Sequence, residues 1–404
     1  MKRFTCGLGL CLVMATPAIE AASREIRALF QPDSSQPNKN VFVNQTPNSG
    51  YCANYPSECR DNNMFSIQLP VRFDSLRALM PNDSIDVRVP ANWRPLTVTN
   101  AETGEAETVE VRIIGIGSNF VLSHPAANLV GVTDILEGHQ KLWTGSSWVY
   151  APAPCQYSGV GAFNPSAYWF FWKAPVEAAC SKVAAYTIPS MYFDTLDFAY
   201  ELRTPNPLGM SSGLYTGSMT YSLGPSGDFS LGPLMVPNDG VLNLDFVLDV
   251  QHTLKVDLPP GGDRVTLEPE GGWMRWIASG QKPTKIYRDQ PFYLSASSRF
   301  KVMILCNSTG GPRCKMISPK GNSTEVITQL TLPPGITGPG GGDVKLLQLQ
   351  YNHWSGPFQP SIYVDRKVGS LRFEMPKDAI DFVLRPGLSD TFTGNITVIW
   401  DSEV

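Results

Sequence analysis

Apolar and polar positions alternate in the last strand-like run of the chain, Thr391 to Trp400. One side of this run carries Phe392, Gly394, Ile396, Val398 and Trp400. A period of two is typical of a β-strand with one buried face. The pattern therefore predicts a strand over 391–400, and a strand placed so late in the sequence is available for pairing with another chain.

A second alternation is much longer and occupies every second position from Leu242 to Leu258. At about 3.3 Å per residue, one strand of this length would extend over roughly 55 Å, well beyond the usual strand. The run is therefore predicted to be a strand that bends or changes sheet. His252 lies within this apolar row and is expected to be a hydrogen-bonded histidine in a core or groove.

The remaining alternating runs are short and are separated by turn residues, which the 35 Gly and 34 Pro supply in abundance. This pattern is typical of all-β sandwiches, and the length suggests two domains. The segments Tyr215–Thr220 and Phe392–Thr397 share the order aromatic, Thr, Gly, polar, apolar, Thr. We expect each to form the closing strand of a sandwich, with the junction beginning at the turn-rich segment 224–233.

The N-terminus has the pattern of a secretory signal peptide. Basic Lys2 and Arg3 precede a short apolar run, and small residues follow it, so we assign 1–23 to the signal. The protein is thus expected to be exported. Its formal net charge of −4 disfavours nucleic acid or an anionic membrane as a partner.

Six cysteines follow the signal, an even number that suggests three disulfides in an exported chain. Six cysteines allow 15 pairings. Pairing of nearest neighbours keeps each bond within one predicted domain, which favours Cys52–Cys59, Cys155–Cys180 and Cys306–Cys314. A zinc site is disfavoured because CxxC spacing and nearby histidines are missing from the sequence.

The candidate catalytic and metal motifs have simpler interpretations. Gly209–Gly213 matches GxSxG around Ser211, but that motif requires a following helix and here a strand-like run follows, so we predict a turn. Gly115-Ile-Gly117 is likewise predicted to be a turn rather than a nucleotide loop. Asp134, Glu137 and His139 are expected in a solvated loop, and we expect no metal, cofactor or enzymatic activity.

Ten aromatic residues crowd into the segment from Trp143 to Trp172. Part of this band must be core, whereas aromatics among Gly, Ser and Pro suggest an exposed loop that stacks on sugar rings. The candidate receptor-binding residues are Trp143, Trp148, Tyr150, Gln156 and Tyr157.

Several of these features together resemble a family. The Tyr/Phe-Thr-Gly strand endings, the disulfide-bearing domains, the long run 242–258 and the short N-terminal alternation of Ile26, Ala28 and Phe30 resemble two-domain tip adhesins of bacterial chaperone–usher pili. The resemblance implies two immunoglobulin-like sandwiches. Residues 24–235 would be a lectin-like receptor-binding domain, and 240–404 a pilin domain one strand short of closure.

The resemblance also implies partners. A periplasmic chaperone, an outer-membrane usher and the adjacent pilin subunit would handle the chain, and a donor strand would pair beside Phe392, Gly394, Ile396, Val398 and Trp400. The expected role is attachment at the pilus tip on the cell surface to a host glycan or glycoprotein. Two alternatives stay open: a structural tip, initiator or adaptor pilin without a receptor, and a secreted β-sandwich glycosidase.

Overall fold

The structure, a computed structural model, describes residues 22–62 and 64–402, and these are built mainly from β-strands. The strands of the first part are β1 (Ala22–Phe30), β2 (Val43–Asn44), β3 (Phe65–Leu69), β4 (Phe73–Ser75), β5 (Ser84–Val87), β6 (Arg94–Asn100), β7 (Ala106–Leu122), β8 (Gln156–Phe163), β9 (Ala167–Lys173), β10 (Cys180–Val183), β11 (Met191–Phe193), β12 (Leu196–Arg203), β13 (Gly213–Ser222), β14 (Met235–Pro237) and β15 (Val241–Val250). The second part contains β16 (Leu254–Asp257), β17 (Glu268–Pro269), β18 (Ile286–Ala296), β19 (Phe300–Cys306), β20 (Thr309–Gly310), β21 (Arg313–Ile317), β22 (Ser323–Thr331), β23 (Ile336–Thr337), β24 (Leu347–Leu349), β25 (Ser355–Pro360), β26 (Val364–Glu374) and β27 (Ile396–Ser402).

The helices are short, as expected for an all-β chain. They are α1 (Tyr51–Asn54), α2 (Pro56–Asp61), α3 (Ala126–Val130), α4 (Ile135–Leu142), α5 (Trp273–Ser279) and α6 (Lys377–Val383), with a 3-10 turn at Pro207–Gly209. The all-β prediction is confirmed. Within the described ranges, no helix is long and apolar enough to cross a membrane.

The first sheet is organised around the 17-residue strand β7, which pairs with β6, β9, β11 and β12 along its length. Val109, Val111 and Ile113 are buried at alternate positions of β7, which is why this segment forms a strand with one core face. The turn predicted at Gly115–Gly117 is wrong, because both glycines lie inside β7. A Cβ on Gly117 would lie 2.5 Å from the carbonyl oxygen of Phe170, so the glycine permits the close approach of β9.

The long alternation from Leu242 to Leu258 is two strands rather than one. β15 pairs with β13 and, in parallel, with β1, so it belongs to the first sheet. β16 pairs with β18 in a different sheet. Between them the ring of His252 donates from Nε2 to Met210 O at 2.9 Å, and its Nδ1 lies 3.0 Å from Ser297 Oγ. Burial lowers the pKa of His252. The apolar period continues through a break in pairing because both strands have a buried face.

The apolar side chains form two large clusters, and the boundary between them along the chain falls between β15 and β16. The larger is contributed by strands from β1 to β15, and the second by strands from β16 to β27. The second part contains an eight-stranded sheet along β16–β18–β26–β22–β21–β20 and a four-stranded sheet, β23–β25–β19–β27. Phe300, Val302 and Ile304 of β19 are buried against this second cluster.

Three disulfides stabilise the loops, at the pairs favoured from the sequence. The Cα–Cα distances are 5.5 Å for Cys52–Cys59, 5.8 Å for Cys155–Cys180 and 5.8 Å for Cys306–Cys314, within the usual range. The predicted signal peptide lies outside the described residues except for Ala22 and Ser23, which open β1.

The sequence predicted a solvated loop around residues 134–139, but in the structure Asp134 caps helix α4 and residues 135–139 belong to it. Asp134 accepts a hydrogen bond from Glu137 N at 2.8 Å and caps the helix, while Glu137 pairs with Lys141 at 2.8 Å. His139 is fully buried, with its Nε2 2.8 Å from Asn164 O, and burial lowers its pKa. The three side chains therefore have separate structural roles, and no metal-binding cluster of three ligands is found in the part of the chain that the structure describes.

A buried carboxyl group in the first core gives a pH-dependent contribution to stability. Asp197 is completely buried; Thr195 Oγ1 donates to its Oδ1 at 3.1 Å. Burial raises the pKa of Asp197 to about 6, against the lowering effect of hydrogen-bond donors on Gln68, Thr195 and Trp169. The folded state therefore binds this proton more tightly than the unfolded state, so the contribution to stability falls as the pH rises from about 4 through about 6.

We expect Asp197→Asn to stabilise the chain above about pH 6, by up to roughly 3 kcal/mol, because the amide carries no charge to desolvate. Near pH 4 the variant and the parent should be equally stable. Urea unfolding followed by fluorescence at several pH values measures the difference. Asp194→Asn, which removes an exposed carboxylate three residues away, is the control. A stability difference that does not change with pH would contradict the assignment.

Candidate functional site: the open edge of β27

β27 has a hydrogen-bonded neighbour on one side only, within residues 22–62 and 64–402. It pairs antiparallel with β19 from Phe300↔Ser402 to Cys306↔Ile396, and it ends the order of the four-stranded sheet. The N–H and C=O groups of its second edge therefore point away from any described strand. Such an edge is a template for another strand, and folded proteins usually cover or blunt it.

The side chains along this edge are apolar but incompletely covered. Ile396, Val398 and Trp400 share the face of β27 that packs on the second core, yet each is only half-buried. Directly opposite on β19, Val302 and Ile304 are almost fully buried. Neighbouring strands of one sheet thus differ sharply in burial, which is what an apolar core lacking one strand would produce.

β16 borders the same core from the other sheet. Its Leu254 and Val256 are also half-buried and pack against the second cluster. The ring of Trp400 lies 5.1 Å from that of Phe292, the residue of β18 immediately before the stretch paired with β16. The two half-covered edges therefore lie on the same side of the core. We call Leu254, Val256, Ile396, Val398 and Trp400 the apolar groove.

A cavity of about 320 Å³ continues the groove at the start of β27. Its lining includes Asp263, Val265 and Leu267 from the segment between β16 and β17, and Gly394, Asn395 and Ile396 at and just before the start of β27. The other lining residues are Cys314, Lys315, Met316, Val326 and Phe373. The volume accommodates a large apolar side chain, and Lys315 and Asp263 add charged groups to the lining.

The strand that the sequence predicted over 391–400 begins later and extends further, from Ile396 to Ser402. Thr393 is held by two backbone hydrogen bonds to Ile317, at 2.8 and 3.1 Å, which directs the preceding chain toward β21. Phe392 instead lies near Phe382 of α6, with ring centroids 6.3 Å apart. Of the predicted pairing residues, Phe392 and Gly394 are therefore not on β27, whereas Ile396, Val398 and Trp400 are.

The repeat Tyr215–Thr220 and Phe392–Thr397 consequently does not form equivalent structure. The first copy lies inside β13, which pairs with β6 and β15. Only the last two residues of the second copy belong to β27. The two segments share an apolar alternation in sequence, but they occupy different positions in the fold.

The candidate receptor residues separate into two groups. Trp143 and Trp148 are buried, and Trp148 stacks on Trp172 at 4.9 Å and packs 4.5 Å from Phe170. The ammonium group of Lys182 explains why this loop folds inward, since it donates to the carbonyl oxygens of Ser147 at 3.1 Å and Tyr150 at 3.0 Å. Trp143 and Trp148 are thus buried in the first core.

Tyr150, Gln156 and Tyr157 are exposed, and the two tyrosines lie side by side. The side chains of Tyr150 and Tyr157 are 54% and 53% exposed, with ring centroids 6.1 Å apart and an angle of 20° between the rings. Gln156 and Tyr157 open β8, which pairs with β9. Receptor contact at this exposed surface stays a prediction.

Ser211 lies at a junction between the two parts of the chain rather than at a nucleophile elbow. The predicted turn is there: a 3-10 turn ends at Gly209 and β13 begins at Gly213. Ser211 N donates to Glu105 Oε2 at 2.9 Å, and that carboxylate also accepts from Tyr215 Oη at 2.6 Å. These hydrogen bonds lower the pKa of Glu105, although burial opposes the shift. Gln359 Nε2 donates to Leu208 O at 3.0 Å across the junction.

Sequence reasoning missed β16 as one wall of the groove, although a signal was present. The alternation 242–258 predicts one strand that bends or changes sheet, so β16 is not separated from β15 in that prediction. The polar run Gln251-His252-Thr253 was the available cue for the break.

No protein-family model matches this chain, and no curated protein sequence matches it either. Among solved structures it is similar to CfaE, the adhesive subunit of CFA/I fimbria of enterotoxigenic Escherichia coli, with 8% sequence identity and a TM-score of 0.26 over 95% of each chain. It is also similar to a chain of a chaperone–tip adhesin complex of CFA/I fimbriae, with 10% identity and a TM-score of 0.26 over 95% of this chain and 97% of that chain.

A third similarity is to a chain of the CsuC–CsuE chaperone–tip adhesion subunit pre-assembly complex, from archaic chaperone–usher Csu pili of Acinetobacter baumannii. The identity is 11% and the TM-score 0.22, over 94% of this chain and 98% of that chain. Similarities at these identities and TM-scores decide nothing about the function of this chain, which has to be inferred from its own geometry.

Proposed function

We propose that this chain is the tip adhesin of a bacterial chaperone–usher pilus, with a C-terminal pilin domain that is completed by a donor strand. The observation that carries the proposal is the open edge of β27 with half-buried Ile396, Val398 and Trp400 beside it. A strand added between β27 and β16 would satisfy the free edge of β27 and cover the apolar groove.

The N-terminal strand favours a tip position over an adaptor. An adaptor must donate a strand to its neighbour, but β1 is hydrogen-bonded along nine residues to β15. Its Ile26, Ala28 and Phe30 are at most 5% exposed. Removing β1 from this sheet would expose that apolar face, so β1 is a part of the first domain and is not available to a partner.

The two apolar clusters suggest a separate role for each part of the chain. We assign receptor binding to residues 24 to about 250 and pilus assembly to the part from β16 onward, which moves the boundary at 235–240 to the connection after β15. A periplasmic chaperone would supply the first donor strand, and the adjacent pilin would replace it after the usher. The receptor would be a host glycan or glycoprotein, contacted through the surface of Tyr150, Gln156 and Tyr157.

Expression in a bacterial periplasm tests the proposal. The chain is produced alone and with an alternating apolar donor peptide fused through a flexible linker after Val404. We expect soluble monomer from the fused chain and aggregated or degraded protein from the unfused chain, because only the fused chain covers the groove. A donor peptide with Asp at its apolar positions is the control. Equal yields from the unfused chain would rule out the proposed assembly role.

A further inference from the structure

A second cleft lies in the first domain, away from the apolar groove and from Tyr150. It has a volume of about 610 Å³, which is within the range of sites for small ligands. The segment 39–44 and strand β12 form two of its sides, and Trp93 closes a third. We call it the Trp93 cleft.

The walls of the Trp93 cleft are apolar and partly exposed. Val41 and Val43 are 48% and 55% exposed, and Phe42 and Phe65 complete the apolar lining. The deeper side is rigid, because Phe42 packs 6.2 Å from Phe30 and Asn44 Nδ2 donates to Tyr200 Oη at 2.9 Å. Exposed apolar side chains around a defined depression are typical of a ligand site.

The charged residues of the lining leave a positive surplus. Glu201 is the one carboxylate that lines the cleft in the described part of the chain, and the guanidinium of Arg112 neutralises it at 2.6 Å. Lys39 and Arg203 are the two lining cations. Lys39 has no carboxylate within 4 Å among the described residues, whereas Arg203 Nη1 donates to Glu110 Oε2 at 3.4 Å, outside the lining, and keeps its other N–H groups for a ligand. A protein with a formal net charge of −4 thus carries a local cationic site.

Trp93 orients the exposed cation. The guanidinium carbon of Arg203 lies 4.0 Å from the centre of the Trp93 ring, and that of Arg112 lies 4.6 Å from it. This contact restrains a side chain that is otherwise 59% exposed. A held guanidinium presents its donors in a fixed fork, the geometry that binds a carboxylate or sulfate with two hydrogen bonds.

From this geometry we infer that the Trp93 cleft binds an acidic saccharide, with Lys39 and Arg203 contacting its carboxylate or sulfate. The inference rests on the proposed adhesin function and adds to it a second contact site, separate from the surface of Tyr150 and Tyr157. The apolar walls suit the C–H face of a sugar ring, while Thr204 supplies a polar contact at the lining. An acidic peptide fits less well, because the neighbouring edge strand β2 has only two residues on which a peptide strand could pair.

The binding test uses the full chain fused to its donor peptide. Binding to surfaces coated with sialyllactose, sulfated lactose or lactose is measured by interferometry. We expect binding to at least one acidic sugar, at least about 10-fold weaker binding to lactose, and weaker binding as NaCl rises from about 50 to about 300 mM.

The double variant Lys39→Gln/Arg203→Gln should reduce binding to the acidic sugar by at least about 10-fold, because it removes both charge-assisted contacts. Arg60→Gln removes an exposed cation outside the cleft and should leave binding unchanged. Tyr157→Ala, at the other exposed surface, should also leave binding of the acidic sugar unchanged, because Tyr157 does not line the cleft. Circular dichroism confirms that each variant is folded.

Several outcomes would overturn the inference while leaving the pilus proposal intact. These are equal binding of lactose, no binding of either acidic sugar, no effect of the double variant, or equally tight binding of a hexaglutamate peptide. The pilus proposal fails separately, if the chain needs no donor peptide to stay soluble. The two failures are therefore distinguishable in one set of preparations.

Discussion

Val398→Asp is expected to abolish the soluble, donor-fused chain. Val398 is directly opposite Ile304, which is 1% exposed, and its side chain lies in the middle of the apolar groove. Adding a donor strand would bury the new carboxylate without a counter-ion. Burying an unpaired charge costs more than about 4 kcal/mol, a large part of the stability of a domain.

The neighbouring residue supplies a matched control. Thr397 belongs to the same strand, but its side chain is on the opposite, exposed face. Thr397→Asp should therefore give nearly the parental periplasmic yield, while Val398→Asp should give almost none. If both variants are equally soluble, the face of β27 that we assign to the donor strand is wrong.

A milder substitution at Val398 distinguishes weaker binding of the donor strand from unfolding of the whole second domain. Val398→Ala keeps the strand apolar but removes two methyl groups from the groove, which should weaken retention of a donor peptide about 10-fold. Release of a fluorescent donor peptide from the refolded complex measures this effect. Thr397→Ala should release the peptide at the parental rate, since its side chain does not face the groove.

The apolar face of β27 could be predicted because it depends on local alternation. Ile396, Val398 and Trp400 occupy every second position, and a strand with that pattern must turn one face to a core. The start of the strand could not be predicted in the same way. It is set by the backbone hydrogen bonds between Thr393 and Ile317, residues that are far apart in sequence.

Pairing partners show where the predicted change of sheet occurs. Val250 and Leu254 continue one apolar period, but they lie in strands of different sheets. The alternation shows that one face of a strand is buried, but it does not show which strands pair with it. The three disulfides were accessible from the sequence because each bridges short separations, 7, 25 and 8 residues, within one predicted domain.

The aromatic band shows why exposure was the hardest property to predict. Trp148 and Tyr150 are two residues apart in a loop of small residues, and the sequence gives them similar surroundings. Lys182, more than thirty residues later, draws the backbone inward through the carbonyls of Ser147 and Tyr150. Trp148 is buried as a result, while Tyr150 stays exposed.

Trp148→Ala should therefore destabilise the first domain by about 3–5 kcal/mol, the usual cost of truncating a large buried aromatic side chain. The indole lies between the rings of Phe120, Phe170 and Trp172, at 5.4, 4.5 and 4.9 Å, so its loss leaves a cavity that these rigid rings fill poorly. Urea unfolding of the donor-fused chain, followed by circular dichroism, measures the change.

Tyr150→Ala is the matched control in the same loop. Its ring is 54% exposed, so the free energy of unfolding should change by less than about 0.5 kcal/mol. If the exposed surface contacts a receptor, the two variants should differ in the opposite way in their binding of host glycans. Tyr150→Ala weakens this binding directly, whereas Trp148→Ala reduces it only through unfolding. Equal stabilities of the two variants would contradict the assignment of Trp148 to the core, and the indole would then have to be counted among the receptor contacts.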